Sequence, residues 1–310
     1  MTVSVFIDGA VGTTGLEIAE RLSGRDDISL VTLSDEHRKD SAARAEALRD
    51  ADFAILCLPD DAAKEAATLA QGSKVRLIDA SSAHRVASGW TYGFAEMASG
   101  QRDAIAAAKY VSNPGCYPTG FLAFAAPLIA AGLLPADYPY VVHAVSGYSG
   151  GGKSLIARFE DDPGIAWRGY GYAMGHKHVP EMTQHGGLAH APVFAPAVIP
   201  AHRGMAVELP LSRAADPRIA PADEILAALN AHYAGSALVS VGSEAPDGEL
   251  LLRQGSEPTD RLDLRVYGSA DGSQLRLVAL LDNLGKGASG ACVQNLNIMA
   301  GLPETAGLRL

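Results

Sequence analysis

The stretch that most limits how this chain can fold lies near its start, where an apolar run, a glycine turn and an amphipathic run follow one another. Val3-Ser4-Val5-Phe6-Ile7 reads as a buried strand closed by Asp8-Gly9, and Leu16 to Leu22 is apolar at helical spacing. Between them lies Gly9-Ala10-Val11-Gly12-Thr13-Thr14-Gly15. Strand, glycine turn and helix open a dinucleotide-binding unit, because glycines let the backbone approach a pyrophosphate and the helix N-terminus faces its charge. Gly9, Gly12, Thr13, Thr14 and Gly15 are therefore candidate cofactor contacts. The spacing is GxxGxxG rather than GxGxxG, so a glycine turn of purely structural use also accounts for the pattern.

The alternation continues in a way that only an α/β sheet explains. Ile28 to Leu33, Phe53 to Leu58 and Val75 to Asp79 read as further strands, with an alanine-rich helix after Pro59-Asp60-Asp61. The second strand ends at Ser34-Asp35-Glu36-His37-Arg38-Lys39. An acidic residue there accepts the ribose hydroxyls of NAD, whereas Ser34 with Arg38 or Lys39 binds the 2′-phosphate of NADP. Both kinds are present; the basic residues favour NADP, and a charged surface turn also fits. The fourth strand runs into Ala80-Ser81-Ser82-Ala83-His84-Arg85, a polar loop at a strand's carboxyl end, where ligands of open sheets gather. Arg85 is a candidate anion clamp, its other reading being a surface salt bridge.

Ser112-Asn113-Pro114-Gly115-Cys116-Tyr117-Pro118-Thr119 sets a cysteine between backbone punctuators, and an apolar helical run follows from Phe121. Proline suits the first turn of a helix, so Pro118 marks a helix start with Cys116 just upstream. Unpaired N–H groups at such a start lower a thiol's pKa from roughly 8.5 toward neutrality. The alternatives here are a nucleophilic thiolate and a buried structural cysteine. Cys57 and Cys292 read as core packing.

Beyond that helix the texture changes. Tyr140 to Val145 looks like a strand and leads into Ser146-Gly147-Tyr148-Ser149-Gly150-Gly151-Gly152-Lys153, either an anion-binding nest or a flexible loop. In Gly175-His176-Lys177-His178-Val179-Pro180-Glu181 the two histidines share a face if the chain is extended, and Pro180 and Glu181 suit a helix's first turn. The pair lacks two further ligands of evident spacing, so no metal is expected and a general acid or base is the better reading. Met205 to Leu209, Leu262 to Tyr267 and Leu275 to Leu281 alternate strongly, as antiparallel strands with one solvated face do, and one helix from Pro221 to about Tyr233 interrupts them. Asp282 to Asn297 reads as a glycine loop entering a last helix. The fold class is thus α/β: a Rossmann-type doubly wound nucleotide domain plus an α+β domain with a mostly antiparallel sheet.

At 310 residues and net charge −10, two domains are expected, and nucleic acid or anionic membrane is excluded as the main partner. No apolar run reaches membrane-spanning length and no basic signal-peptide region opens the chain, so a reducing cytoplasm is the expected home.

Ser112 through Thr119 resembles the active-site motif of N-acetyl-γ-glutamyl-phosphate reductases, within the aspartate-semialdehyde dehydrogenase superfamily. Asp8 to Gly15, Asp79 to Arg85, Ser146 to Lys153, His176 to Glu181 and Asp282 to Asn297 match in family order, and the compact length looks like the shorter of two subtypes. The resemblance implies NADPH-dependent reduction of N-acetyl-L-glutamyl 5-phosphate to the 5-semialdehyde in arginine biosynthesis. It implies Cys116 as nucleophile, His176 or His178 as proton carrier oriented by Glu181, and Arg85, with Lys153 and Asn113, on the substrate. It further implies Asn283, Lys286 and Gly287 near the nicotinamide, and a nucleotide domain of residues 1–113 and 287–310 around a catalytic and dimerisation domain of 114–286. A homodimer or homotetramer is expected. Acidic Asp35-Glu36 departs from the expected 2′-phosphate site.

Three rivals stand beside this reading. Aspartate-semialdehyde dehydrogenases more often carry Asn-Cys with other neighbours. A non-catalytic NADP-binding redox sensor would leave the histidine and anion-binding segments without purpose. A cysteine hydrolase would leave the Gly9–Gly15 loop unexplained.

Overall fold

The computed structural model describes residues 2–34 and 36–310, and the chain divides into two units. Unit 1 holds residues up to 95, 99–115 and 288–308; unit 2 holds 96–98, 116–287 and 309–310.

Unit 1 carries β1 (Val3–Asp8), α1 (Thr13–Leu22), β2 (Ile28–Val31), α2 (Ser41–Asp50), β3 (Phe53–Leu56), α3 (Asp60–Leu69), β4 (Arg76–Asp79), β5 (Thr91–Tyr92), α4 (Gln101–Ala107) and β6 (Tyr110–Ser112). The strands form a six-stranded sheet in the order β2-β1-β3-β4-β6-β5, parallel throughout. A sheet covered on both faces needs apolar side chains on both, and the strands supply them. Val5, Ile7, Ile55 and Ile78 enter one core, whereas Phe6, Ala54, Leu56 and Leu77 enter the other. Each such side chain stabilises by about 1.5–3 kcal/mol, offset by the entropy of ordering it.

Unit 2 begins at α5 (Cys116–Ala130) and continues through β7 (Val141–Gly147), α6 (Gly152–Asp161), β8 (Arg168–Gly169), α7 (Val179–His185), β9 (Val193–Ile199), β10 (Met205–Ser212), α8 (Ala222–His232), β11 (Val239–Gly242), β12 (Leu262–Gly268) and β13 (Gln274–Leu281). Its seven-stranded sheet has the order β11-β12-β13-β10-β7-β9-β8. Antiparallel pairs predominate, but β7 with β9 and β11 with β12 run parallel, so the sheet is mixed. Parallel neighbours require a crossover, and α6 and α7 provide one between β7 and β9.

Helix α5 packs on β10, β13, α7 and α8 and is buried along most of its length. Gly120 permits this contact, because a Cβ there would lie 2.8 Å from Val207 Cγ2. Pro127 inside α5 removes the N–H that would have bonded Ala123 O. The Tyr233 hydroxyl donates to that carbonyl at 2.7 Å, so the lost helical bond is replaced.

The last helix, α9 (Gly290–Ala300), follows a π-helical turn at Gly285–Ser289 and belongs to unit 1, where Cys292, Val293, Leu296 and Met299 join the core of Val5 and Ile18. Burial pushes the pKa of Cys57 up to about 12 and that of Cys292 well above the ordinary thiol value, so both remain protonated core residues.

Candidate active site

In unit 1 the glycine turn lies at the carboxyl ends of β1 and β3, where the strand order reverses and open α/β sheets bind ligands. Gly9 adopts a φ of 87°, and a Cβ there would lie 2.3 Å from Cys57 O, so only glycine lets β1 turn against β3. Helix α1 starts within the motif at Thr13, capped by Gly12, with no acidic residue in its first turn. A cavity of about 540 Å³ opens beside it, lined among others by Gly9, Ala10, Val11, Leu33, Arg38 and Lys39. This cradle fits a dinucleotide: backbone and a helix N-terminus for the phosphates, apolar walls for a base, cations at one end.

The turn after β2 is built by His37 N and Arg38 N, both bonding Ser34 O at 3.0 Å. The Ser34 hydroxyl meets His37 Nδ1 at 3.0 Å, and Arg38 and Lys39 are exposed. Asp35, one half of the acidic pair weighed against NADP, lies outside the described residues; Glu36 is exposed. Beneath the turn, Arg44 of α2 clasps buried Asp8 at 2.9 Å.

The loop after β4 is held by its own carboxylate. Asp79, fully buried, accepts from Ser81 N and Ser81 Oγ at 2.8 Å and meets His84 Nδ1 at 2.6 Å. Arg85 is buried rather than a surface residue, donating from Nε to Asn113 O and from Nη2 to Ala80 O. Asn113, expected on the substrate, donates from Nδ2 to Ala288 O and accepts from Asn295 Nδ2, both 3.1 Å away.

In unit 2, Cys116 is itself the first residue of α5 rather than lying upstream of it, with Pro118 in the first turn. It is partly exposed, and Gly287 presses against it: a Cβ on Gly287 would lie 2.8 Å from Cys116 Cβ. Around its neighbour Tyr117 gathers an aromatic cluster. Tyr170 donates to the Tyr117 hydroxyl at 3.3 Å and Tyr117 to Ala197 O at 3.2 Å. The His176 ring lies 6.4 Å from that of Tyr117 and 5.5 Å from that of Tyr170. Burial foremost, with Cys116 contributing, raises the pKa of both phenols, which therefore stay protonated donors.

The two histidines meet, with ring centroids 4.8 Å apart, but through a turn rather than along an extended chain. His178 has helical backbone at the N-cap of α7 and is buried, whereas His176 is half-buried. His178 N donates to His176 Nδ1 at 3.2 Å. That bond puts the proton of neutral His176 on Nε2. Burial first, and then the Lys177 charge, lowers the His176 pKa below its ordinary 6.5. Pro180 and Glu181 occupy the first turn of α7, with Glu181 buried. Lys153 is exposed in the first turn of α6.

Two residues expected beside the cofactor have partners in unit 2. Asn283 donates to Ser149 Oγ and accepts from Gly204 N, each at 3.0 Å. Lys286 Nζ lies 2.9 Å from both carboxylate oxygens of Glu96, and both partners are almost fully buried.

Residues 116–283 match the family described as semialdehyde dehydrogenase, dimerisation domain, and residues 36–108 match semialdehyde dehydrogenase, NAD binding domain. N-acetyl-gamma-glutamyl-phosphate reductase 2 of Nostoc sp. is 50% identical over 321 residues, covering 98% of each chain. The N-acetyl-gamma-glutamyl-phosphate reductase of Brucella ovis is 49% identical over 312 residues, covering 97% of this chain and all of that one. The chain belongs to this reductase family. Among solved structures, aspartate semialdehyde dehydrogenase II of Vibrio cholerae shares the fold at a TM-score of 0.72, with 15% identity and coverage of 97% and 99% of the two chains.

Sequence reading of this family member missed Tyr170, the Asp8–Arg44 pair and the Asp79–His84 bond. Only the last had a local signal, an aspartate and a histidine five residues apart on one polar loop.

Proposed function

We propose that the protein reduces N-acetyl-L-glutamyl 5-phosphate to N-acetyl-L-glutamate 5-semialdehyde with release of phosphate, using NADPH, as a step of arginine biosynthesis. The observation that carries this reading is Cys116 opening α5 next to Tyr117, whose side chain meets Tyr170 and His176. The kinship with reductases of that name supports the substrate.

The bound nicotinamide supplies two electrons as hydride. The remaining chemistry falls to side chains of this protein. The Cys116 thiolate attacks the acyl carbon, the carbon–oxygen bond to phosphate breaks, and phosphate departs with the proton that the reaction consumes. After reduction of the thioester, the tetrahedral alkoxide on Cys116 collapses, the carbon–sulfur bond breaks, and the thiolate returns as the aldehyde leaves. Negative charge collects on the former carbonyl oxygen, which needs a fixed donor. His176 suits this role better than His178, being less buried and carrying its proton on Nε2. Glu181 is assigned to orienting the histidine segment, and Arg85 with Lys153 to the substrate's anionic groups.

Unit 1 is read as the NADP-binding domain and unit 2 as the catalytic and dimerisation domain of a homodimer or homotetramer. Ser34, Arg38 and Lys39 favour the 2′-phosphate of NADP. A cytoplasmic setting suits a nucleophile that must stay reduced; among the described residues, no helix is long and apolar enough to cross a membrane.

The test is the reverse reaction. The protein is mixed with N-acetylglutamate semialdehyde, phosphate and NADP⁺, and absorbance of reduced nicotinamide is followed. The reading fails if no phosphate-dependent signal appears, or if Cys116→Ser retains it. Aspartate semialdehyde and NAD⁺ serve as alternative substrates that decide specificity.

A further inference from the structure

Residues 80–85 are bent round a single carboxylate. Asp79 ends β4 with its side chain wholly buried, holding Ser81 N with one oxygen and Ser81 Oγ with the other. The second oxygen also meets His84 Nδ1 at 2.6 Å, so one buried group gathers both ends of the loop. Ser81 Oγ in turn accepts from Ala83 N, and Asp60 accepts from Ser82 N and Oγ. The His84 ring lies nearly flat on Trp90, with centroids 4.0 Å apart and planes 12° apart; Trp90 stacks on Tyr110. His84 thus has its plane set by a stack and its tautomer set by a carboxylate, an arrangement that fixes a ring rather than freeing it. The next residue is Arg85, whose guanidinium reaches back to Ala80 O, at the loop's start, and across to Asn113 O.

We propose that His84 is a positioning residue: its bond to Asp79 closes the loop and thereby aims the Arg85 guanidinium. The inference rests on the reading of Arg85 as a group for the substrate's anionic groups, and takes the phosphate as the one it holds. The serine bonds tie Asp79 to residue 81 and Asp60 to residue 82, and the Asp79–His84 bond is the one that reaches the residue next to Arg85. The His84 bond adds a second anchor one residue away, so its loss lets the guanidinium plane tilt while the strand and the nucleotide cradle stay in place.

Two substitutions separate the bond from the stack. His84→Phe keeps a flat ring for Trp90 and deletes the N–H; His84→Asn loses the ring but can place an amide N–H toward Asp79. In the phosphorylating assay, His84→Phe is expected to raise KM for phosphate about tenfold with kcat held within about threefold, the cost of a misaimed binding group. His84→Asn is expected to keep that KM within about threefold of the unsubstituted enzyme. The proposal is overturned if His84→Phe leaves phosphate KM unchanged, or lowers kcat or melting temperature without raising that KM. Should His84→Phe not fold, His84→Leu, which likewise deletes the N–H, decides: a tenfold rise in phosphate KM supports the bond, and an unchanged KM overturns it. Arg85→Gln is the control on the underlying reading. If it leaves phosphate KM unchanged, Arg85 does not bind phosphate, whatever His84 does. If it raises KM and His84→Phe does not, only the positioning role falls.

Discussion

Gly287→Ala tests whether Cys116 needs the space that the glycine leaves. The added Cβ would lie 2.8 Å from Cys116 Cβ, 3.1 Å from Asp282 O and 3.3 Å from Cys116 Cα. Carbon atoms rest at roughly 3.5–4.0 Å, so one partner must move by about 0.7–1.2 Å. Gly287 has no positive φ, so alanine meets no backbone strain there and the effect is one of contact alone. Gly287 N is held by Asp282 O at 2.9 Å, which leaves the start of α5 as the side that yields. A nucleophile must come within about 3–3.5 Å of its target in line, and misplacement by about 1 Å costs up to ~10²-fold, so kcat should fall about 10- to 100-fold. Overpacking should also cost about 1–3 kcal/mol of stability, lowering the melting temperature without unfolding the chain. The assay is kcat and both KM values in the phosphorylating direction, together with the rate of Cys116 alkylation by iodoacetamide. A variant that keeps kcat within about threefold, or that loses it only through KM, would falsify the argument.

Three further outcomes follow from the same contacts. Gly12→Ala meets nothing closer than Gly9 O at 3.5 Å, so its melting temperature should match that of the unsubstituted protein. If a pyrophosphate lies against that backbone, KM for NADP⁺ rises about tenfold while phosphate KM is unmoved. The folded His176 pKa lies below 6.5 through burial and then Lys177, so the native state binds fewer protons than the unfolded chain as pH drops below 6.5. The His176 contribution to stability is therefore present above pH 6.5 and is lost on acidification through the folded value. Lys177→Gln should move the His176 NMR titration upward, and a downward or absent movement contradicts the assigned cause. Arg44→Met strands Asp8, which is 3% exposed, without its cation. Chemical denaturation should show a loss of about 3–5 kcal/mol, and a neutral result would refute the stabilising role given to the pair.

Features set by neighbours in sequence were legible, and features set by distant partners were not. The strands around the glycine turn, the helix after Cys116 and the Pro180–Glu181 helix start could all be read because each depends on a few adjacent residues and their backbone preferences. The mixed character of the unit 2 sheet could not, since alternation along β7 or β12 says which face is buried but not which strand lies beside it. Polar side chains near the motifs were harder still. Asn113, Asn283 and Lys286 stand next to reactive segments in sequence, and such residues look like ligand contacts. Their partners are 182 residues away at Asn295, 134 at Ser149 and 190 at Glu96, so no local pattern betrays them.

Burial then divides polar residues that sequence leaves mixed. A polar side chain removed from water must find its partners within the protein, so Asn113, Asn283 and Lys286 are nearly fully buried and bonded there. Cys116, His176 and Tyr170 are each only partly covered, whereas Arg85, proposed for the substrate's anionic groups, is buried like the three residues above. Next to Lys286, whose ammonium is locked onto Glu96, Gly287 stands against Cys116, the thiol proposed as the nucleophile. Lengthening that glycine by a single carbon should disturb the nucleophile before it disturbs the fold.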